Sequence, residues 1–202
     1  MANLDGRAAL VTGGARGIGR AIALDLATTG ADVAFTYRQD GESAQEVVRD
    51  LEELGRKGLA LQADVVDFAL AQRLVQQVVG TWGRLDILVN NAGIHINEPI
   101  WAMNEEQWDR VLEVNLKGTF NYLRAVAPLF REQRAGKIVS IASIHGLRGR
   151  AEGPNYSAAK AGIIGLSKSA QRAYIGVWSD LTRRLPETLI IATFAGQCAR
   201  LK

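Results

Sequence analysis

This chain has few of the residues that staple, bridge or span. One cysteine, Cys198, among 202 residues excludes an internal disulfide and suits a reducing compartment, which points to the cytoplasm. The two histidines, His95 and His145, have no Cys, Asp or Glu at metal-ligand spacing, so no metal site is expected. Four prolines leave no Pro-rich linker, and neither internal repeats nor low-complexity segments occur. No apolar run approaches the roughly 20 residues of a membrane span. The stretch from Met1 to Arg7 lacks the apolar core of a signal peptide. Charge of one sign is also missing: basic and acidic residues balance over 1–170, and the net +3 comes from 171–202. A nucleic-acid binder would carry a basic face with groove-reading or stacking elements, and the balanced part offers none.

What is present is an ordinary globular composition, 48% hydrophobic and 22% charged, at a length that suits one domain over 1–202. Short apolar runs alternate with longer periodic stretches. Strands are predicted at 8–12, 33–37, 58–63, 87–90 and 137–140. Helices are predicted at about 18–29, 42–54, 68–80 and 105–131, with another from Asn155. Asp67 is the capping candidate for the third helix. This alternation implies βαβ units and a doubly wound α/β domain, a Rossmann-type parallel sheet with helices on both faces.

The first strand runs into Thr12-Gly13-Gly14-Ala15-Arg16-Gly17-Ile18-Gly19. Glycines let a backbone turn tightly and approach a pyrophosphate, and the helix start then offers free N–H groups and the positive end of its dipole. A glycine-rich loop alone is weak evidence, but its place between a strand and a helix strengthens it. At the end of the second strand an acidic residue usually holds the adenosine ribose of NAD. Here Tyr37 and Arg38 stand instead, and Arg16 lies inside the turn. Two guanidinium groups would favour a 2′-phosphate, so NADP(H) is expected over NAD(H). Read without that context, they are two exposed loop arginines.

Tyr156 and Lys160 lie four residues apart, on one face of a helix. An isolated pair of this kind is ordinarily a solvated helix face; downstream of a nucleotide turn it reads as a proton donor beside a cation. The turn at 12–19, Asp64-Val65, Asn90-Asn91-Ala92-Gly93, Asn115, Ser143, Tyr156 and Lys160 come in an order and spacing that resemble the short-chain dehydrogenase/reductase family. Over about 4–170 the chain is most similar to 3-oxoacyl-[acyl-carrier-protein] reductases of fatty acid biosynthesis.

The resemblance implies an oxidoreductase that moves hydride between NADP(H) and a ketone or secondary alcohol, with a 3-oxoacyl thioester as a candidate. Tyr156 would exchange the proton. A free tyrosine, with a pKa of about 10, is too weakly acidic to work efficiently near neutrality, and Lys160 would favour its ionised form while holding the nicotinamide ribose. Ser143 would bond the carbonyl oxygen. Asn115 would sit at a disturbance in its helix and hold a water in a proton relay. Gly13, Arg16, Gly17, Ile18 and Gly19 would take the phosphates, with Tyr37 and Arg38 near the ribose. Asp64 would meet the adenine amine with Val65 beside it, and Asn91, Ala92 and Gly93 would wall the adenosine side. The helices carrying Asn115 and Tyr156 would form a homodimer rather than a tetramer.

His145, two residues after Ser143, is a better candidate for touching substrate than His95. Trp82, Trp101, Trp108 and Trp178 read as packing residues. The tail 171–202 departs from the family as if truncated or altered. Pro186 falls near the family's Pro-Gly strand end, yet 189–194 is the better strand. Alternatively, the apolar spacing of Tyr174, Val177, Trp178, Leu181 and Leu185 prolongs the helix. A tail lacking the nicotinamide clamp and substrate lid leaves a second reading, a catalytically impaired NADP(H)-binding or interaction protein.

Overall fold

The computed structural model describes residues 3–177 and 189–194, with side chains described as far as residue 172. Six strands form one parallel sheet in the order β3-β2-β1-β4-β5-β6: β1 Ala8–Val11, β2 Asp32–Tyr37, β3 Gly58–Gln62, β4 Ile87–Asn90, β5 Lys137–Ser143 and β6 Leu189–Phe194. The helices are α1 Gly17–Thr28, α2 Gly41–Glu53, α3 Phe68–Trp82, α4 Glu105–Leu112, α5 Gly118–Gln133, α6 His145–Arg148 and α7 Pro154–Val177. The doubly wound fold is thus as expected, and 189–194 takes the sheet edge beside β5. Pro186, Trp178, Leu181 and Leu185 lie outside the described residues.

The central strands are apolar on both faces because both faces are covered. Successive side chains alternate between them. Leu10, Ala34 and Leu88 join α3 and α5 in one core. Ala9, Val11, Val33, Phe35 and Val89 join α1 and α2 in the other. Each fully buried side chain the size of Phe35 or Leu88 contributes about 1.5–3 kcal/mol, so the sheet is a rigid platform for whatever its strand ends hold.

Polar residues set the element boundaries. Asp67 caps α3 as expected, its Oδ1 accepting from Leu70 N at 2.8 Å. Asn104 and Gln107 form a reciprocal capping box at α4. At the start of the sheet, Asp86 accepts from Arg84, Arg7 and the Ala8 backbone. Burial alone would raise its pKa, but these bonds hold it below the ordinary carboxylate value.

One expectation is met in detail and another is corrected. The helical stretch predicted over 105–131 is interrupted where the resemblance implies a disturbance: a π-helical turn, Glu113–Lys117, holds Asn115 and separates α4 from α5, which runs on to Gln133. A π turn inserts one residue into the α ladder, and such insertions cluster at functional sites. Trp101 is not a packing residue, since it is 86% exposed. Trp82 does pack against the core, and Trp108 is half-buried.

Candidate functional site

The sheet order reverses between β1 and β4, and a crevice opens outside the carboxyl ends of these strands, where doubly wound sheets bind ligands. Thr12 and Asn91 tie the two strand ends together. Thr12 Oγ1 accepts from the backbone N–H groups of Asn91 and Ala92, both at 3.0 Å. Asn91 Nδ2 returns two bonds, to the carbonyls of Thr12 at 3.0 Å and Gly13 at 3.1 Å. On the other side, Gly13 N donates to Thr36 Oγ1 at 3.1 Å. The glycine turn is therefore held by β4 and β2 before any ligand arrives.

Gly13 has φ +66°, a left-handed conformation that other residues adopt only with strain. A Cβ at Gly19 would collide with the carbonyl of Gly13 and with Asn91 Nδ2. This close packing brings the start of α1 onto the turn. Arg16 precedes α1 without a side-chain cap, and no acid occupies the first turn. The first N–H groups of a helix have no partners within it, so this end is a cradle for an anion.

A cleft of about 470 Å3 spans this region and is lined by every residue expected to touch a nucleotide. Gly13, Arg16, Gly17, Ile18 and Gly19 form its floor at the helix start. Tyr37 and Arg38 lie at the end of β2, Asp64 and Val65 beyond β3, and Asn91, Ala92 and Gly93 beyond β4. Tyr156 and Lys160 come from α7. Arg16 and Arg38 are exposed, and neither forms an ion pair among the described residues. Their charge is felt by the neighbouring carboxylates Asp40 and Asp64.

Lys160 is 4% exposed, because α7 packs against β5. Its Nζ donates to the Ile141 carbonyl at 2.6 Å and lies 5.6 Å from the centre of the Tyr156 ring. Burial disfavours the ammonium and pushes its pKa down to about 8. Asn155, just before Tyr156, is fully buried. Its Nδ2 donates to the Gln107 carbonyl at 2.9 Å and its Oδ1 accepts from Tyr156 N at 2.7 Å, which fixes the start of α7 against α4.

Asn115 and Ser143 are buried and do not line the cleft. Asn115 lies within the π turn, and both ends of its side chain are spent on Ile94: Oδ1 accepts from Ile94 N at 2.8 Å and Nδ2 donates to Ile94 O at 2.9 Å. Its main-chain carbonyl accepts from Thr119 Oγ1 at 2.7 Å, and a carbonyl has a second lone pair to offer. Ser143 ends β5, its Oγ accepting from His145 N at 3.2 Å. His95 lines the cleft with Tyr156 and Lys160, whereas His145 does not. Its Nδ1 faces the Gly149 carbonyl at 3.3 Å. Thr36 and Arg110 are further cleft residues without a local sequence signal. The partner of Arg110 is 46 positions away in the chain.

Residues 7–176 match a family model described as short chain dehydrogenase. The chain is 44% identical over 166 residues to the 3-oxoacyl-[acyl-carrier-protein] reductase FabG of Staphylococcus aureus (strain Mu50 / ATCC 700699), covering 82% of this chain and 68% of that protein. It is 41% identical over 170 residues to the enzyme of the same name from Escherichia coli (strain K12), covering 84% of this chain and 68% of that one. A crystal structure from Sinorhizobium meliloti 1021, assigned as a short-chain alcohol dehydrogenase, matches with a TM-score of 0.83 at 35% identity. That match covers 87% of this chain and 69% of the other.

Proposed function

Because the chain belongs to the short-chain dehydrogenase family, we propose that it is a reductase that transfers hydride between NADP(H) and a ketone or secondary alcohol, with a 3-oxoacyl thioester as the substrate class. The observation that carries this reading is the presence of Tyr156 and Lys160 on the same cleft as the uncapped, acid-free start of α1. The donor set suits a dinucleotide: glycine backbone and a free helix start for phosphates, and carboxylate and main-chain groups for adenosine.

Gly13, Gly17, Ile18 and Gly19 would hold the pyrophosphate, and Lys160 the nicotinamide ribose. When bound, the dihydronicotinamide supplies a hydride to the carbonyl carbon. Tyr156 gives its phenolic proton to the oxygen that becomes an alkoxide. Two of the three donors of the Lys160 ammonium remain after its bond to Ile141, and its charge stabilises the phenolate left behind. Ser143 Oγ accepts from His145 N, and its hydroxyl proton would meet the substrate oxygen. The Asn115 side chain fixes the loop at Ile94, and its carbonyl is the group that would hold a relay water. In the reverse direction, the phenolate takes the proton from the alcohol.

Loss of dihydronicotinamide absorbance with a panel of 3-oxoacyl thioesters and simple diketones is the direct test. Tight NADPH binding with no turnover on any carbonyl would sink the reductase and favour a binding protein. Arg16 and Arg38 support NADP(H) over NAD(H). Arg38→Asp, which removes a guanidinium and adds a ribose acceptor, is expected to move the NADPH/NADH preference in kcat/KM by about 100-fold toward NADH, on the scale of gaining and losing charge-assisted hydrogen bonds. An unchanged ratio would remove Arg38 from the ribose site.

The same reading includes a homodimer through the helices carrying Asn115 and Tyr156. Phe120, Leu123 and Leu166 line an open groove on α5 and α7 and support it. Light scattering should give the mass of two chains; a single-chain mass at micromolar concentration would end that part of the reading.

A further inference from the structure

Arg110 belongs to α4, remote in sequence from the glycine turn, yet it stands on the cleft wall. Its Nη2 donates to Asp64 Oδ2 at 3.0 Å, and Asp64 Oδ1 accepts from Val66 N at 3.2 Å. One carboxylate oxygen is therefore anchored by α4 and the other by the loop after β3. That loop is itself held from α5, where Asn121 Nδ2 donates to the Val65 carbonyl at 2.9 Å. The second arm of Arg110, Nη1, lies 3.9 Å from Glu113 Oε2, at the start of the π turn. Both partners of the Arg110–Asp64 pair are about one-third exposed, 31% and 35%. This is neither a dry bridge on which the fold depends nor a free surface pair.

We propose that Arg110 is a positioning residue for adenine: it holds the Asp64 carboxylate in the orientation from which its remaining lone pairs accept the exocyclic amine of the nucleotide. The proposal rests on reading the cleft as an NADP(H) site. An ionised carboxylate has about four acceptor positions, and the bonds to Arg110 and Val66 use two. Without Arg110 the carboxylate can rotate, and nucleotide binding must then also supply the cost of ordering it. Burial raises the Asp64 pKa, but the hydrogen bonds from Arg110 and Val66, with the charges of Arg110 and Arg38, outweigh it and lower the value overall. Asp64 therefore stays an acceptor.

The test measures nucleotide binding by fluorescence titration without substrate, in wild type, Arg110→Met and Arg110→Lys. The ligands are NADPH and its reduced hypoxanthine analogue, in which a carbonyl replaces the adenine amine. Arg110→Met is expected to weaken NADPH about ten-fold, the scale of one charge-assisted contact. Arg110→Lys should recover part of that loss, and the analogue should bind all three proteins alike. Equal weakening of both nucleotides would make Arg110 a support of the fold and overturn the proposal. NADPH binding that is unchanged or tighter in Arg110→Met would overturn it as well, since Asp64 would then need no anchor. Wild-type protein that binds neither nucleotide would instead overturn the reading of the cleft on which the proposal stands.

Discussion

Tyr156→Phe is expected to lower kcat for carbonyl reduction by about 1000-fold, in the range attributed to general acid catalysis, while NADPH affinity stays within about two-fold. The substitution removes one oxygen and its proton and leaves the ring, so the 5.6 Å spacing to Lys160 Nζ and the wall of the cleft persist. The main-chain bond from Tyr156 N to Asn155 Oδ1 is also untouched, and α7 keeps its place against α4. Only the hydroxyl proposed to meet charge developing on the substrate oxygen is lost. A loss confined to kcat is the signature of an interaction made in the transition state. Steady-state rates and NADPH titrations on the two proteins separate this from a defect in binding. A variant that kept a tenth of the wild-type rate would mean that another group supplies the proton. His95, on the same cleft, would be the first to examine by adding His95→Ala.

The sheet was legible because its information is local. Each central strand is a short apolar run bounded by Gly, Asp or Asn, and covering both faces of a parallel sheet requires such runs. Predicted strands at 8–12, 33–37 and 87–90 therefore agree with β1, β2 and β4 to within a residue at either end. The residues lining the cleft were legible for a related reason. They sit at strand ends and a helix start, positions set by chain order once the sheet order follows.

What local pattern could not supply was anything that depends on a distant partner. The π turn at Glu113–Lys117 has an unremarkable composition, and the disturbance at Asn115 follows from the family resemblance alone. What distinguishes it is Asn115, whose side chain bonds Ile94, 21 positions earlier. Arg110 reads as an ordinary charged helix residue until Asp64 is brought to 3.0 Å. His145 lies two residues after Ser143 in sequence, but its backbone N–H turns to Ser143 Oγ while its ring faces Gly149. His95, whose neighbour Ile94 is clamped by Asn115, ends up at the cleft. Trp101 shows the opposite failure: a large aromatic is a good candidate for packing on average, and nothing local signals that this one faces outward.

Lys160→Met is expected to slow proton transfer from Tyr156 by removing the charge that favours its phenolate and, at the same time, to erase a pH dependence of stability. Burial pushes the Lys160 pKa from 10.5 down to about 8 in the folded chain. Between those values the unfolded chain still holds a proton that the folded chain has released. The unfolded state then binds more protons, so stability rises as pH climbs through this window and is flat below it. The full rise is about 3 kcal/mol, at 1.36 kcal/mol for each pKa unit. Methionine occupies a similar volume and does not titrate, so the difference in unfolding free energy between the proteins should move toward wild type by that amount from pH 7 to above pH 10. Urea titrations at several pH values measure it. The variant compares best with wild type near neutrality, where wild type buries a charged ammonium with a single bond to the Ile141 carbonyl. There kcat should be down by at least about 100-fold, the lower end for losing an organised catalytic charge. A difference curve that stays flat would place the ammonium in water, and the cation would no longer stand against the phenol in a dry wall.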